Sequence, residues 1–393
     1  MNTEKTLVWR YKMKKVLMVA TLPLMIGQFN LSNINILQKM GYKVNIAANF
    51  RDTNVWPIER IKKFKNEMKL IDVDCLQVDF SRNVFDIKRH FNSLNQLKQL
   101  IHNDEYVFIH THTPIASAIA RIIAHIEKTK IIYTAHGFHF YKGSPLKNWL
   151  MFYPVEWVLS FWTDILITIN TEDYKRAKKH FHARKILYIP GVGVDTEKYA
   201  ACNIHRNEKR AKMGINEHNF VLFSVGELQK RKNQKVVIDA LHKLNNPDII
   251  YLIAGRGELE EDYQKLIHNY KLEKNIKLLG YRTDIDILCK ISDCFVHPSV
   301  REGFGIAPME AMAAGLPLIA SGINGIRDYM ENGKTGYSVN PYLVDEMVNA
   351  IEKMYENVDF RKKCGAYNLK KAKQFDIHII DEIMQRAYDI ECL

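Results

Sequence analysis

The stretch that decides the fold runs from Ser292 to Ser321. It opens as Ser292-Asp293-Cys294-Phe295-Val296-His297-Pro298-Ser299, passes through Glu302-Gly303-Phe304-Gly305-Ile306-Ala307-Pro308-Met309-Glu310, and closes as Gly315-Leu316-Pro317-Leu318-Ile319-Ala320-Ser321. Read locally, this is an apolar run of strand length, a loop with two glycines, a short helix and a second apolar run, which is the unit of a parallel sheet. Gly303 and Gly305 let the backbone pass close to a ligand, Pro308 suits a first helical turn, and Gly315 ahead of Pro317 supplies the stop. The loop therefore aims a helix N-terminus at something, and free amides with the helix dipole make a phosphate or diphosphate its natural occupant. Glu302 sits in the loop and Glu310 inside the helix. Carboxylates accept paired hydrogen bonds from vicinal hydroxyls, so one suits a sugar and the other a ribose. Two solvated acids flanking a small-residue core helix are the other reading of the same letters.

Working outward, apolar runs alternate with helical periodicity from Lys14 onward, the pattern of parallel sheets covered by helices. Strands are expected over Lys15–Ala20, Lys43–Ala48, Val107–Thr111, Ile131–Thr134, Ile165–Thr168 and Ile186–Ile189, with helices near Asn30–Met40 and Asp86–His102. The pattern breaks at Pro190-Gly191-Val192-Gly193-Val194-Asp195, ahead of a polar stretch from Ala201 to Lys212, and this is read as an interdomain hinge. A second series begins at Phe220–Val225 and repeats at Ile249–Ala254, Ile276–Leu278, Cys294–His297 and Leu318–Ala320. The expected organisation is a tail over 1–12, a first doubly wound α/β domain over 13–195, a second over 196–372, and a terminal segment over 373–393. A length of 393 residues fits two such domains better than one core.

The segment Ser292–Ser321 resembles the Glu-x7-Glu signature of retaining glycosyltransferases in the large nucleotide-sugar family usually numbered four. The resemblance implies the GT-B architecture, two Rossmann-like domains facing a cleft, with a last helix over Asp376–Tyr388 crossing back to the first domain. It also implies a nucleotide-sugar donor held by Gly303, Phe304, Gly305 and Ile306, with Glu302 on the sugar and Glu310 on the ribose. The loop Gly226-Glu227-Leu228-Gln229-Lys230-Arg231-Lys232 looks like the family's diphosphate loop. Lys232 matches its lysine, Glu227 replaces its arginine, and Arg231 or Arg256 is left to supply the missing cation; a solvated basic turn is the alternative. Ala254-Gly255-Arg256-Gly257-Glu258 resembles the family's Gly-x-Gly turn, and Glu260 in place of a third glycine disfavours NAD. Gly280-Tyr281-Arg282-Thr283-Asp284 lies where the family holds the nucleobase. In the first half, Gly27 after the first strand either admits a phosphate or serves an ordinary strand-to-helix turn. His136 matches the family's histidine near the anomeric carbon.

No metal is expected. His110, His112, His136 and His139 lie close together but read as loop-end histidines satisfying backbone groups, Cys289, Cys294 and His297 lack a fourth ligand, and Asp72-Val73-Asp74 and Asp284-Ile285-Asp286 look incidental. Six scattered cysteines argue for a reduced, cytoplasmic protein without a disulfide framework.

The net charge of +12 is uneven, since residues 1–200 hold 29 Lys and Arg against 17 Asp and Glu while the rest holds 27 against 27. The first half therefore suits an anionic membrane or a lipid-linked diphosphate, and no nucleic-acid motif accompanies the excess. No apolar run is long enough to span a bilayer. The aromatic segment Trp149–Trp162, with Trp149, Phe152, Tyr153 and Trp157, reads either as core or as an interfacial helix lying on the membrane. The stretch His136–Lys175 looks most like bacterial capsule and exopolysaccharide transferases, so the expected acceptor is an undecaprenyl-diphosphate-linked glycan at the inner face of the cell membrane. The donor is expected to be a UDP-sugar. An epimerase of sugar nucleotides with the same two-domain shape, or an inactive nucleotide-sugar or carbohydrate binder, are the alternatives.

Overall fold

The computed structural model describes residues 13–389; the expected tail over 1–12 lies outside them. In the first domain the strands are β1 Lys15–Val19, β2 Lys43–Ala48, β3 Asp74–Gln77, β4 Tyr106–Thr111, β5 Lys130–Ala135, β6 Ile165–Thr168 and β7 Lys185–Tyr188. Its helices are α1 Pro23–Phe29, α2 Leu31–Lys39, α3 Ile58–Leu70, α4 Ile87–Asn103, α5 Pro114–Ile126, α6 Leu146–Ser160 and α7 Thr171–His180. All strand pairs are parallel, in the order β3-β2-β1-β4-β5-β6-β7. Central strands such as β1 are buried on both faces, which is why they read as unbroken apolar runs.

The second domain contains α8 Thr196–Ala201, α9 Arg206–Lys212, β8 Phe220–Val225, α10 Lys235–Leu244, β9 Ile249–Ala254, α11 Glu260–Asn269, β10 Ile276–Leu278, α12 Ile285–Ile291, β11 Cys294–His297, α13 Ile306–Ala313, β12 Leu318–Ser321, β13 Gly336–Val339, α14 Val344–Glu356 and α15 Val358–Ala372. Its sheet runs β10-β9-β8-β11-β12-β13, again parallel throughout. Strand order therefore reverses between β1 and β4 in one sheet and between β8 and β11 in the other. Loops after strands flanking such a reversal form the ligand crevice of an open α/β sheet.

Two edge strands escape the sequence reading. β3 and β13 are four residues each, and β3 begins with an exposed aspartate, so neither carries an apolar run. The helix expected near Asn30–Met40 is α2; α1 precedes it, and the two are separated where Asn30 leaves helical geometry and its side chain bonds the Met25 carbonyl at 3.0 Å. α8 lies between the hinge and the polar stretch, and α9 lies within that stretch.

The last helix, α16 Ile377–Tyr388, starts at Asp376, whose side chain caps the His378 amide, and lies on the first domain. Ile380, Met384, Ala387 and Tyr388 join the core formed by β1, β2 and α2, and Ser32 donates to Asp381 at 2.6 Å. Both crossings between domains are tied together where they meet: Val194 N donates to Phe375 O at 3.0 Å and Ile377 N to Val194 O at 2.9 Å. Gly193, at φ +84°, leaves no room for a Cβ beside Ile377.

Candidate active site

The site grows from the loops at the two reversal points. After β11 the chain turns through Pro298–Gly305 and enters α13, whose N-terminal position is Gly305 at φ +92° with no side-chain cap. The first amides of α13 are therefore left for an external acceptor. Glu302, within this loop, meets cations from the loop after β8: Lys232 Nζ donates to its Oε2 at 2.5 Å, and Arg231 lies at 3.4 Å. His297 Nε2 stands 3.5 Å from the same oxygen. Burial pushes the Glu302 carboxyl up, yet Lys232, His297 and Arg231 outweigh it and hold it well below the usual carboxylate range. Gly226, at φ +152°, lies under this loop, and a Cβ there would press on the Lys232 side chain at 3.3 Å.

Across the gap, His136 follows β5. Its Nε2 lies 3.4 Å from His112 Nδ1, and the His112 ring lies 4.0 Å from that of His110. His110 is fixed between the hydroxyls of Tyr388 at 2.9 Å and Thr134 at 2.8 Å, so α16 ends against this row. Burial lowers His136 to about 4 and His110 to about 3, and it takes His112 well below the usual value with help from its neighbours, so the row is neutral at pH 7.

The two halves touch. A Cβ on Gly303 would lie 2.1 Å from the His136 carbonyl oxygen, and one on Gly137 would lie 2.7 Å from Gly303 Cα. Asn170, ahead of α7, donates to Gly303 O at 3.0 Å and to Asp173 at 2.8 Å, while Asp173 accepts from the Phe138 amide at 2.9 Å. Thr171 reaches Asp328 through its amide at 2.7 Å and its hydroxyl at 2.6 Å, and Arg301 meets His139 at 3.1 Å. One buried Asn-Asp pair thus aligns the His136 loop with the Glu302 loop.

Other residues singled out by sequence take varied places. Gly27 is not in a loop ahead of a helix; it lies inside α1, where a Cβ would meet Trp56 at 2.6 Å, so its smallness serves helix contact. Phe304 turns away from the gap into the core, against Tyr329, Phe375 and Gly191. Arg282 is engaged by Asp284 through two nitrogens, at 2.8 and 2.5 Å, so it does not extend into the crevice. Tyr281 is exposed, and Arg256 is exposed beside Gly280 with no hydrogen-bond or ion-pair partner for its guanidinium among the described residues. Glu227 accepts from Gln229 at 2.5 Å. Ile306 opens α13. Glu310 accepts the Tyr199 hydroxyl at 2.5 Å, and burial raises its carboxyl against that bond.

The aromatic segment is divided by α6. Trp149, Phe152 and Tyr153 turn inward against a core holding Phe140 and Phe181, so they do not form the outer face. That face carries Leu146, Leu150, Met151, Val155, Trp157, Val158 and Phe161, all exposed. The cause is Glu156, which points inward to pair with the buried Arg121 at 2.8 Å beneath Tyr133. Among the described residues no helix is long and apolar enough to cross a membrane, and no three His, Cys, Asp or Glu side chains gather as metal ligands.

Sequence reasoning did not find Asn170's bond to Gly303, Asp328 or Tyr199. Asn170 lies within the stretch His136–Lys175 singled out in the sequence, but nothing local shows that its amide crosses to another domain.

Both domains resemble known proteins. Residues 205–371 match the model "Glycosyl transferases group 1" and residues 27–170 match "Glycosyl transferase 4-like". The putative glycosyltransferase EpsD of Bacillus subtilis is 35% identical over 92% of this chain and 93% of its own. An Escherichia coli UDP-Gal:α-D-GlcNAc-diphosphoundecaprenol α-1,3-galactosyltransferase is 33% identical over 70% and 73%. The crystal structure of Anabaena HepE with UDP and glucose superposes with a TM-score of 0.77 at 22% identity, covering 97% of this chain and 100% of that one, which shows the GT-B fold. With both domains matched and a relative aligned along nearly its whole length, the chain belongs to the group 1, family 4-like glycosyltransferases.

Proposed function

We propose that this enzyme moves a sugar, with retention, from a UDP-sugar to a hydroxyl of an undecaprenyl-diphosphate-linked glycan during assembly of a surface polysaccharide. The observation that carries the reading is the Lys232–Glu302 pair, set against His136 across the interdomain gap. The donor diphosphate would lie between Lys232, Arg231 and the uncapped start of α13, with Gly226 and Gly305 admitting it, Gly303 seating the loop against His136, and the unengaged Arg256 as a further cation. It would take over from Glu302 as counter-ion of Lys232, and this exchange would free Glu302 for the sugar hydroxyls. Glu310 would turn from Tyr199 to the ribose, and Tyr281 would flank the base.

His136, neutral and close to Gly303, suits a donor carbon that gains positive charge as UDP departs, because an imidazolium there would oppose that charge. Contact between the two loops excludes water from the reacting carbon. The outer face of α6 and the basic excess of the first half support attachment to the anionic inner surface of the membrane. EpsD, the E. coli galactosyltransferase and the Staphylococcus aureus capsular glycosyltransferase CapM support the polysaccharide context.

The test is release of UDP from a panel of UDP-sugars with a sugar-primed prenyl diphosphate. Release should need the acceptor, the product should keep the donor's anomeric configuration by NMR, and Glu302→Ala should lower kcat about 10²-fold or more. Conversion of the nucleotide sugar without acceptor, or equal turnover in Glu302→Ala, would overturn the reading.

A further inference from the structure

Behind His136 stands a histidine to which the mechanism above gives no part. His112 follows β4, is 1% exposed, and faces His136 Nε2 through its own Nδ1 at 3.4 Å. Its backbone is pinned on both sides: its amide donates to Val19 O at 3.1 Å, and the hydroxyl of the next residue, Thr113, accepts the Thr21 amide at 2.8 Å. Its ring is backed by that of His110, 4.0 Å away, whose two nitrogens are taken by the hydroxyls of Tyr388 and Thr134. The His112 imidazole is thus fixed in place, with one nitrogen toward His136.

The protons of this row follow from its partners. Burial keeps both rings neutral at pH 7, so each carries one N–H and one lone pair. His112 Nε2 is buried and has no hydrogen-bond partner among the described residues. A proton there would be a buried donor with nothing to receive it, whereas a proton on Nδ1 has His136 Nε2 as its acceptor. The His112 proton therefore sits on Nδ1. His136, accepting at Nε2, must carry its own proton on Nδ1, since the bond made at one ring nitrogen sets the state of the other. His136 Nδ1 has no hydrogen-bond partner among the described residues and is not sealed from solvent as His112 Nε2 is. At 3.4 Å the bond between the rings is long, as bonds to reacting groups commonly are before substrate closes on them.

We infer that His112 is a positioning residue: by donating from Nδ1 to His136 Nε2 it fixes the tautomer of His136, so that the nitrogen left open to substrate bears an N–H and donates to an oxygen of the bound donor. With the opposite tautomer a lone pair would meet the lone pairs of that oxygen. The inference rests on the reading of the enzyme as a transferase with His136 beside the donor sugar.

NMR of the full chain labelled at histidine nitrogen, with UDP bound and His136→Asn to assign the signal, reads the tautomer directly. The wild type should show the His136 proton on Nδ1 and a bare Nε2. His112→Leu, which fills the space without a donor, should mix the two tautomers and lower kcat about tenfold, the worth of one hydrogen bond, while KM for the UDP-sugar and affinity for UDP hold. His112→Asn, whose Nδ2 falls near the lost Nδ1, should recover most of that loss. A wild-type His136 protonated at Nε2 overturns the inference, as does unchanged kcat in His112→Leu, or a His112→Asn enzyme that restores the tautomer and stays as slow as His112→Leu. Should His112→Leu fail to fold, the wild-type spectrum decides. The spectrum needs no turnover, which separates this inference from the reading beneath it. Protonation at Nδ1 without sugar transfer keeps the bond between the rings and loses the transferase, whereas transfer with the proton on Nε2 keeps the transferase and loses the role of His112.

Discussion

At the scale of single residues, Glu302 is held in a pre-formed ion pair with Lys232. Lys232 and Glu302 are both mostly buried, and burying charges is tolerated only in company. Removing one leaves the other desolvated and uncompensated, so Lys232→Ala should destabilise the fold by about 3 kcal/mol, at the low end for a broken buried pair because Arg231 remains nearby. Lys232→Ala/Glu302→Ala should lose less than the two single changes added together. Urea unfolding of the four proteins measures this; strict additivity would mean that the pair is not coupled. This much of the site was legible in sequence, because the glycines, Lys232 and Glu302 stand in short loops after strands. The alignment of the halves was not. Asn170 meets Gly303 at a separation of 133 residues and Thr171 meets Asp328 at 157, through groups that carry no local pattern.

At the scale of elements, α6 explains why composition alone could not choose between core and membrane. Its fourteen-residue aromatic run serves both, with Trp149, Phe152 and Tyr153 inward and Trp157 on the outer face, 40% exposed. The rotation is set by a charge, since Glu156 pairs with Arg121 inside. Strands buried on both faces were equally legible as apolar runs, while β3 and β13 were lost because edge strands need apolar residues on fewer sides. If the outer face enters the interface, Leu150→Ser and Trp157→Ser should each weaken binding to vesicles containing anionic lipid roughly tenfold, since each withdraws about 1.5 kcal/mol or more of apolar burial. Leu150→Ser should change the melting temperature by no more than a degree or two, because that side chain is 71% exposed, whereas Trp157→Ser should lower it further, because the ring also packs on Phe161 and His182. Vesicle sedimentation at low salt checks this, and equal partitioning of wild type and variants would remove α6 from the membrane reading.

At the scale of the whole molecule, the row Tyr388–His110–His112–His136 joins the last helix, the centre of the first sheet and the interdomain gap, and it makes the fold sensitive to mild acid. His110 and His136 are held down to about 3 and 4 by burial, and His112 also lies well below the usual value. Unfolded, each takes a proton near pH 6.5. Between pH 6.5 and 4 the unfolded chain therefore binds protons that the native state refuses, so stability falls as pH falls, by up to about 1.4 kcal/mol per pH unit for each histidine. Asp173 opposes them: burial raises it to about 6, so below that pH the native state takes up a proton there before the unfolded chain does. His139, lowered to about 4 by burial, and His297, also lowered, add to the loss, whereas Glu310 and Asp328, raised by burial, oppose it with Asp173; five histidines against three carboxylates leave a net loss of stability as pH falls below 6. The urea midpoint should consequently drop between pH 7 and pH 5, a range above the titration of ordinary carboxylates, and His110→Asn should flatten the slope. A midpoint unchanged from pH 7 to pH 5 would mean that the row accepts protons in the folded enzyme, and that His136 does not face the gap as a neutral imidazole.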